Sequence, residues 1–342
     1  MSKKENASCP RADIGGQAVL DGVMMKAPDA VAVAVRRANG DIVVKREAYE
    51  APSKKHPWMG LPFIRGAVNM VQMLGLGMRV LEDSVKMSGE AEEEEPSKFE
   101  KWLAKKLGKN VDKIAMGVAI VLALAMSIGL FVLLPNLVIM LFPQNATGGT
   151  LLAKNLVSGL IRTALLIGYI SLVGRIPDMR KTFQYHGSEH KTVYCHEHDL
   201  PLTPKNAQQF TTLHPRCGTS FLLLTFFLSI IFYSIIDVLV LQLTGFDLGA
   251  HYLLRVLSRI ILLPCVAGIS YEVLKAVAHA ENPLTKALRW PGLQMQRLTT
   301  RQPSDEQCEV AIASMNAALH GLPEGEVTPE GWVILHKEAT AV

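Results

Sequence analysis

Charge is missing from long stretches of this chain. Residues 114–142 carry none in 29 positions, and residues 219–243 carry one, Asp237. A water-exposed helix is excluded there, because each run can cross a hydrocarbon core of about 30 Å. Residues 252–278 and roughly 156–173, the latter holding Arg162, are long enough as well. Four transmembrane helices are predicted, with kinks at Pro135 and Pro264. The loops at 143–150 and 244–250 lack Lys and Arg altogether. Lys98, Lys101, Lys105, Lys106, Lys109 and Lys113 precede the first span. Arg175, Arg180, Lys181, Lys191, Lys205 and Arg216 lie between the second and third, and Lys275, Lys286, Arg289, Arg297 and Arg301 follow the fourth. The positive-inside rule then puts both termini and the 175–218 loop in the cytoplasm.

Other absences exclude function classes. The first residues lack an apolar stretch, so no cleaved signal peptide is expected. The five cysteines are scattered and odd in number, which argues against a disulfide framework and leaves thiol or metal-ligand chemistry open. Neither a Gly-Lys-Ser/Thr phosphate loop nor the Rossmann glycine spacing occurs. The net charge of +4 reflects membrane orientation, with no patch suited to nucleic acid.

What is present starts with Tyr185-His186-Gly187-Ser188-Glu189-His190-Lys191, which contains H-x-x-E-H in the polar loop between two spans. Imidazoles four residues apart share one helix face and can reach one ion. In this inverted zinc-protease pattern the two His are ligands and Glu189 is the general base. Pro177 and Asp178 suit the first turn of the required helix. Met179, Phe183, His186, His190 and Val193 then recur at steps of three and four, on its inward stripe. Gly187 costs this helix about 1 kcal/mol against Ala, which makes sense where something packs close to the backbone. The competing reading is a wet helix with two ordinary histidines.

A catalytic zinc site wants three protein ligands. The third is open between Glu272, about 21 residues past His251 and so roughly 31 Å along the fourth span, and His214 or Cys217 in Leu213-His214-Pro215-Arg216-Cys217-Gly218. Cys195-His196-Glu197-His198 ranks behind both. Arg162, Arg255 and Arg259 fall within the membrane near Asp237, and an Asp237–arginine pair tying the helices together is expected.

The remaining regions are smaller. In 1–97, residues 31–35 and 42–44 flank Arg36-Arg37-Ala38-Asn39-Gly40-Asp41, a hairpin signal. The glycines of Gly15-Gly16-Gln17 through Asp21-Gly22 read as a tight turn between strands. Residues 63–87 read as a helix lying on the membrane surface or against other helices, and 90–95 as an acidic linker. Region 98–280 is the four-helix membrane domain and 281–342 a C-terminal region. There Trp290-Pro291-Gly292 should break the chain, Ser304-Asp305-Glu306-Gln307 should cap a helix to about Leu319, and the end should be a loosely docked tail.

Several stretches together resemble the bacterial YqhQ-type family, membrane proteins described as predicted metal-dependent enzymes of unknown reaction. They are Gly15 to Met25, Tyr185 to Lys191, Leu213 to Phe221, Leu263-Pro264-Cys265 through Tyr271-Glu272, and Gly292-Leu293-Gln294. Asp21 and the order Tyr194-Cys195-His196 depart from the family pattern. The resemblance implies a multi-pass bacterial membrane protein with a metal site. The expectation is a mainly α polytopic membrane protein with four transmembrane helices, a small N-terminal β-hairpin and cytoplasmic helical segments. Its function would be that of a zinc-dependent hydrolase acting on a peptide, a lipid headgroup or a membrane-protein segment. The alternative is an assembly or regulatory factor with a structural metal.

Overall fold

The computed structural model describes residues 14–89, 111–139, 141, 147–248, 251–279 and 282–336. The acidic linker at 90–95 and Lys98 to Lys109 lie outside them.

Alternating small and branched residues make a sheet buried on both faces. Strands β1 (Gly15–Val19), β2 (Gly22–Lys26), β3 (Ala30–Arg36) and β4 (Ile42–Ala48) form an antiparallel meander. The expected hairpin is its β3–β4 pair, turning at Asn39-Gly40 with Gly40 at φ 95°. The glycine-rich segment is β1, a two-residue turn, and β2, with Val19 opposite Gly22. Because side chains alternate, Val31, Val33 and Val35 face one side and Ala32 and Ala34 the other. The valine side packs on Leu76, Val80 and Met87 of helix α1 (Ile64–Ser88). The alanine side is shallow and receives a C-terminal helix, whose Val310, Ala311 and Met315 pack there.

The tail corrects the sequence reading. Instead of docking loosely, it forms β5 (Glu326–Val327) and β6 (Val333–Leu335), and β6 pairs with β4. The sheet order is β1-β2-β3-β4-β6-β5, so both terminal regions build one layer. Val333 is buried, which supplies the apolar reason for docking.

Among the described residues four helices are long and apolar enough to cross a bilayer, so the protein is a polytopic membrane protein. The first, α2, starts at Val111–Ile128, passes through a π turn at Gly129–Leu133 and ends at Leu134–Ile139. Pro135 explains the turn: it has no N–H for the carbonyl four residues back, and the Leu134 N–H reaches Gly129 O. The others are α3 (Gly148–Val173), α5 (Gly218–Thr244) and α6 (Tyr252–His279), which runs on through Pro264. Between α3 and α5 lies α4 (Pro177–Glu197), with Pro177 in its first turn as expected.

Helix α7 (Pro283–Thr299) also corrects an expectation, since it continues through Pro291. A proline inside a helix costs about 3 kcal/mol. Packing on α5 offsets this: a Cβ on Gly292 would sit 2.8 Å from the Ser220 side chain, so the two helices touch there. Ser304 caps α8 (Asp305–His320) in the capping box read from the sequence. Helix α1 packs against α6, where Gly66 and Gly268 allow close approach. The tightness fits the Phe63 backbone, at φ 66°, which bulky residues rarely adopt.

Candidate metal centre

Helix α4 is sheathed on every side from Gly187 to Val193. His190 of the motif therefore sits inside the protein, deeper than an amphipathic stripe requires, while His186 is half-buried. Gly187 has the close neighbour its presence suggested, because a Cβ there would stand 2.1 Å from Arg301 O. The Arg301 N–H donates to Phe183 O at 2.8 Å, which seats the end of α7 on α4.

Backbone carbonyls fix both rings. His186 Nδ1 lies 2.8 Å from Thr299 O, and His190 Nδ1 lies 2.5 Å from Thr212 O. A carbonyl only accepts, so each Nδ1 carries the proton and each Nε2 keeps its lone pair. Metal-ligating histidines are held in this way. His186 Nε2 stands 3.2 Å from Cys217 Sγ, and buried His190 Nε2 has no hydrogen-bond partner. The donor atoms of His186, His190 and Cys217 all lie within 4.8 Å of one another. Zinc bonds of 2.0–2.3 Å in a tetrahedron need donor separations of about 3.3–3.6 Å, and the 3.2 Å between His186 Nε2 and Cys217 Sγ is close to that. Cys217 is the N-cap of α5, and its sulfur accepts from Thr219 N at 3.4 Å.

Glu189 joins this group from the side. Its Oε2 lies 3.6 Å from His190 Nε2 and 3.9 Å from His186 Nε2. Gly16 of β1 makes room for it: a Cβ there would meet Glu189 Cγ at 2.6 Å. Burial pushes the Glu189 carboxyl above its ordinary range, opposed by His186, His214 and the Gly16 amide. Burial also lowers His190 and His214, which keeps both neutral at pH 7.

The other residues singled out from the sequence are placed as follows. His214 is buried beside His190, its ring centroid 5.6 Å away, with Nε2 at 3.4 Å from Glu197 Oε1 but not hydrogen-bonded. Its backbone N–H donates to Gln296 Oε1 at 2.7 Å, and its carbonyl accepts from Gln296 Nε2 at 2.7 Å. Glu272 is not among the converging donors. Both of its oxygens accept from Arg65, at 2.7 and 2.5 Å, and Oε1 also accepts from Phe63 N at 3.2 Å. It clamps the unusual Phe63 backbone at the start of α1. In the lower-ranked cluster, Glu197 pairs with Arg216, His198 bonds Tyr194 O, and buried Cys195 faces the carbonyls of Leu200 and Pro201.

Sequence reasoning did not find Gln296, Gly16 as the seat of Glu189, or the Thr212 and Thr299 carbonyls. Backbone acceptors leave no side-chain signature. Gln296 had one signal, a polar side chain on the face of α7 that also carries Gly292.

A family model described as a protein of unknown function (DUF1385) matches residues 61–321. The chain is 34% identical over 311 residues to "Uncharacterized protein YqhQ" of Bacillus subtilis (strain 168), covering 89% of this chain and 92% of that one. No solved structure matches.

Proposed function

The chain belongs to the DUF1385 family, whose description assigns no activity, and from its geometry we propose a membrane metal-dependent hydrolase. The observation that supports it is the pair of Nδ1-to-carbonyl bonds that leaves two Nε2 lone pairs facing Cys217 Sγ. His186, His190 and Cys217 would hold a divalent ion, with zinc favoured by the nitrogen and sulfur donors. Such an ion lowers the pKa of a bound water toward neutrality. Glu189 would act as the general base beside the ion, and its raised pKa suits a group that takes up a proton and later returns it. His214, neutral and next to the group, would lie on the substrate side or complete the shell. The substrate class is a peptide, a lipid or a membrane-protein segment, since the site adjoins the ends of the spans. The basic loops support a cytoplasmic site and cytoplasmic termini, and the bacterial relative supports an inner-membrane location.

Burial favours a second reading. Glu189, His190 and Cys217 are all nearly enclosed, as in structural sites, where a closed ligand set staples a loop to helix ends. One experiment separates the two. Purified His186→Ala, His190→Ala and Cys217→Ser proteins should each lose metal by elemental analysis. Glu189→Gln should keep it but abolish function in cells. Full metal in the His186→Ala/His190→Ala double variant would end both readings. A functional Glu189→Gln protein would favour the staple. Reporter fusions at Asp199 and Phe246 should read cytoplasmic and external respectively, and an external Asp199 would overturn the orientation.

A further inference from the structure

A cavity of about 540 Å³ lies between α2, α3, α5 and α6, at the end of the spans away from the histidines. The α5 residues that line it, Phe226 to Tyr233, are 9–16 residues from Cys217, so roughly 14–24 Å separates the two places, and the inference here is independent of the metal reading. The volume is that of a small-molecule site.

Three arginines line it: Arg162, Arg255 and Arg259. Arg259 lies about two turns into α6, about 10 Å from the helix start, and Arg162 is about 21 Å along α3. Charges at such depth cost at least about 2.5 kcal/mol near the bilayer centre and mark ligand sites or internal pairs. One buried carboxylate, Asp237, faces this set. Arg259 Nη2 binds Asp237 Oδ2 at 2.5 Å, and the same oxygen accepts from Asn155 Nδ2 at 2.9 Å. Arg255 bonds the neutral Asn155 Oδ1 at 2.5 Å, with Asp237 and, on the loop before α6, Asp247 as its nearby acids. Arg259 Nη1 is buried with no hydrogen-bond partner. An ion pair that only ties helices together needs one arginine, and here three line one space.

The walls indicate what fills that space. Leu253 and Ile260 line the cavity and are also largely exposed on the surface of the spans, where acyl chains run. Phe131 and Val132 reach it from the π turn of α2, a device frequent at functional sites. A site with guanidinium groups inside and lipid-facing aliphatics at its edge fits an amphiphile, its anionic head inside and its chains outside. We infer that this cavity binds the phosphate headgroup of an anionic membrane lipid. Guanidinium groups suit phosphate through paired N–H donors.

Native mass spectrometry of the detergent-purified protein, titrated separately with phosphatidylglycerol, phosphatidylcholine and inorganic phosphate, tests this. Phosphatidylglycerol should bind at least about tenfold more tightly than phosphatidylcholine. Arg255→Gln or Arg162→Gln should each weaken it about tenfold, the value of one charge-assisted bond. Arg259 is left intact because its loss would strand Asp237. Ser158→Leu fills the cavity without altering charge and should weaken lipid binding while the protein stays monodisperse on gel filtration. Equal affinity for the two lipids, or unchanged binding in all three variants, would overturn the inference. Inorganic phosphate binding as tightly as the lipid would overturn the lipid assignment.

Discussion

At the residue scale, the histidines are poised by atoms outside themselves. Each Nδ1 proton is spent on a carbonyl, and this commits each Nε2 to another partner. Gly187 is part of the same arrangement. Gly187→Ala would drive a methyl into Arg301 O, so we expect a loss of about 1–3 kcal/mol and weakened metal retention, read by thermal unfolding and elemental analysis. Glu272 supplies a control. Because Arg65 and Phe63 N occupy its oxygens, Glu272→Gln should leave metal content unchanged, whereas Cys217→Ser should not. The site titrates as well. His190 and His214 are held below their ordinary value of 6.5 when folded, so between pH 6.5 and the folded values the unfolded chain binds more protons. Their contribution to the stability of metal-free protein therefore falls as pH drops below about 6.5, while the raised Glu189 carboxyl contributes in the opposite direction. In Glu189→Gln protein, which lacks that opposing group, the unfolding midpoint at pH 5.5 should lie below that at 7.5, and adding His214→Asn should flatten the slope.

At the element scale, the pattern of the chain decided most of what could be read in advance. The four spans, the Pro177 start of α4 and the Ser304 cap each follow from local chemistry, and the helices carry them. The misreadings have a common cause. Pro291 and the 323–331 segment carry strong local breaking signals, and distant partners override them: Ser220 of α5 for the first, strand β4 for the second. The third ligand stayed open between Glu272 and His214 or Cys217 for the same reason, since only tertiary structure shows that Arg65 of α1 takes the carboxylate. Asp237, by contrast, was legible as a membrane charge needing a partner, and Arg259 is that partner. Asp237→Leu strands a buried cation. It should cost about 3–5 kcal/mol, whereas the Asp237→Leu/Arg259→Leu double variant should recover most of the loss in detergent unfolding curves.

At the scale of the whole molecule, the sheet joins residues that lie almost 300 positions apart: Ile42 opposite Leu335. Deleting residues 322–342 removes β5 and β6 and bares the edge of β4. Unpaired edges template association. The truncated protein should show a lower unfolding temperature and aggregates on gel filtration.

That long-range pairing has a consequence for biosynthesis. A ribosome makes β1 to β4 first, then the four spans, and the strand and helix that cover the sheet come last. Until α8 emerges, the alanine face of β3 and the flank of α4 stay bare, and Tyr185 and Val193 lack their packing partners. The covering of this flank of α4 is therefore finished only when nearly the whole polypeptide has left the exit tunnel. A stalled or prematurely ended chain can sit in the bilayer with its helices inserted, yet it leaves apolar surface of the sheet and of α4 bare. Completion of synthesis then acts as a checkpoint on the fold, because an inserted fragment is an uncovered one.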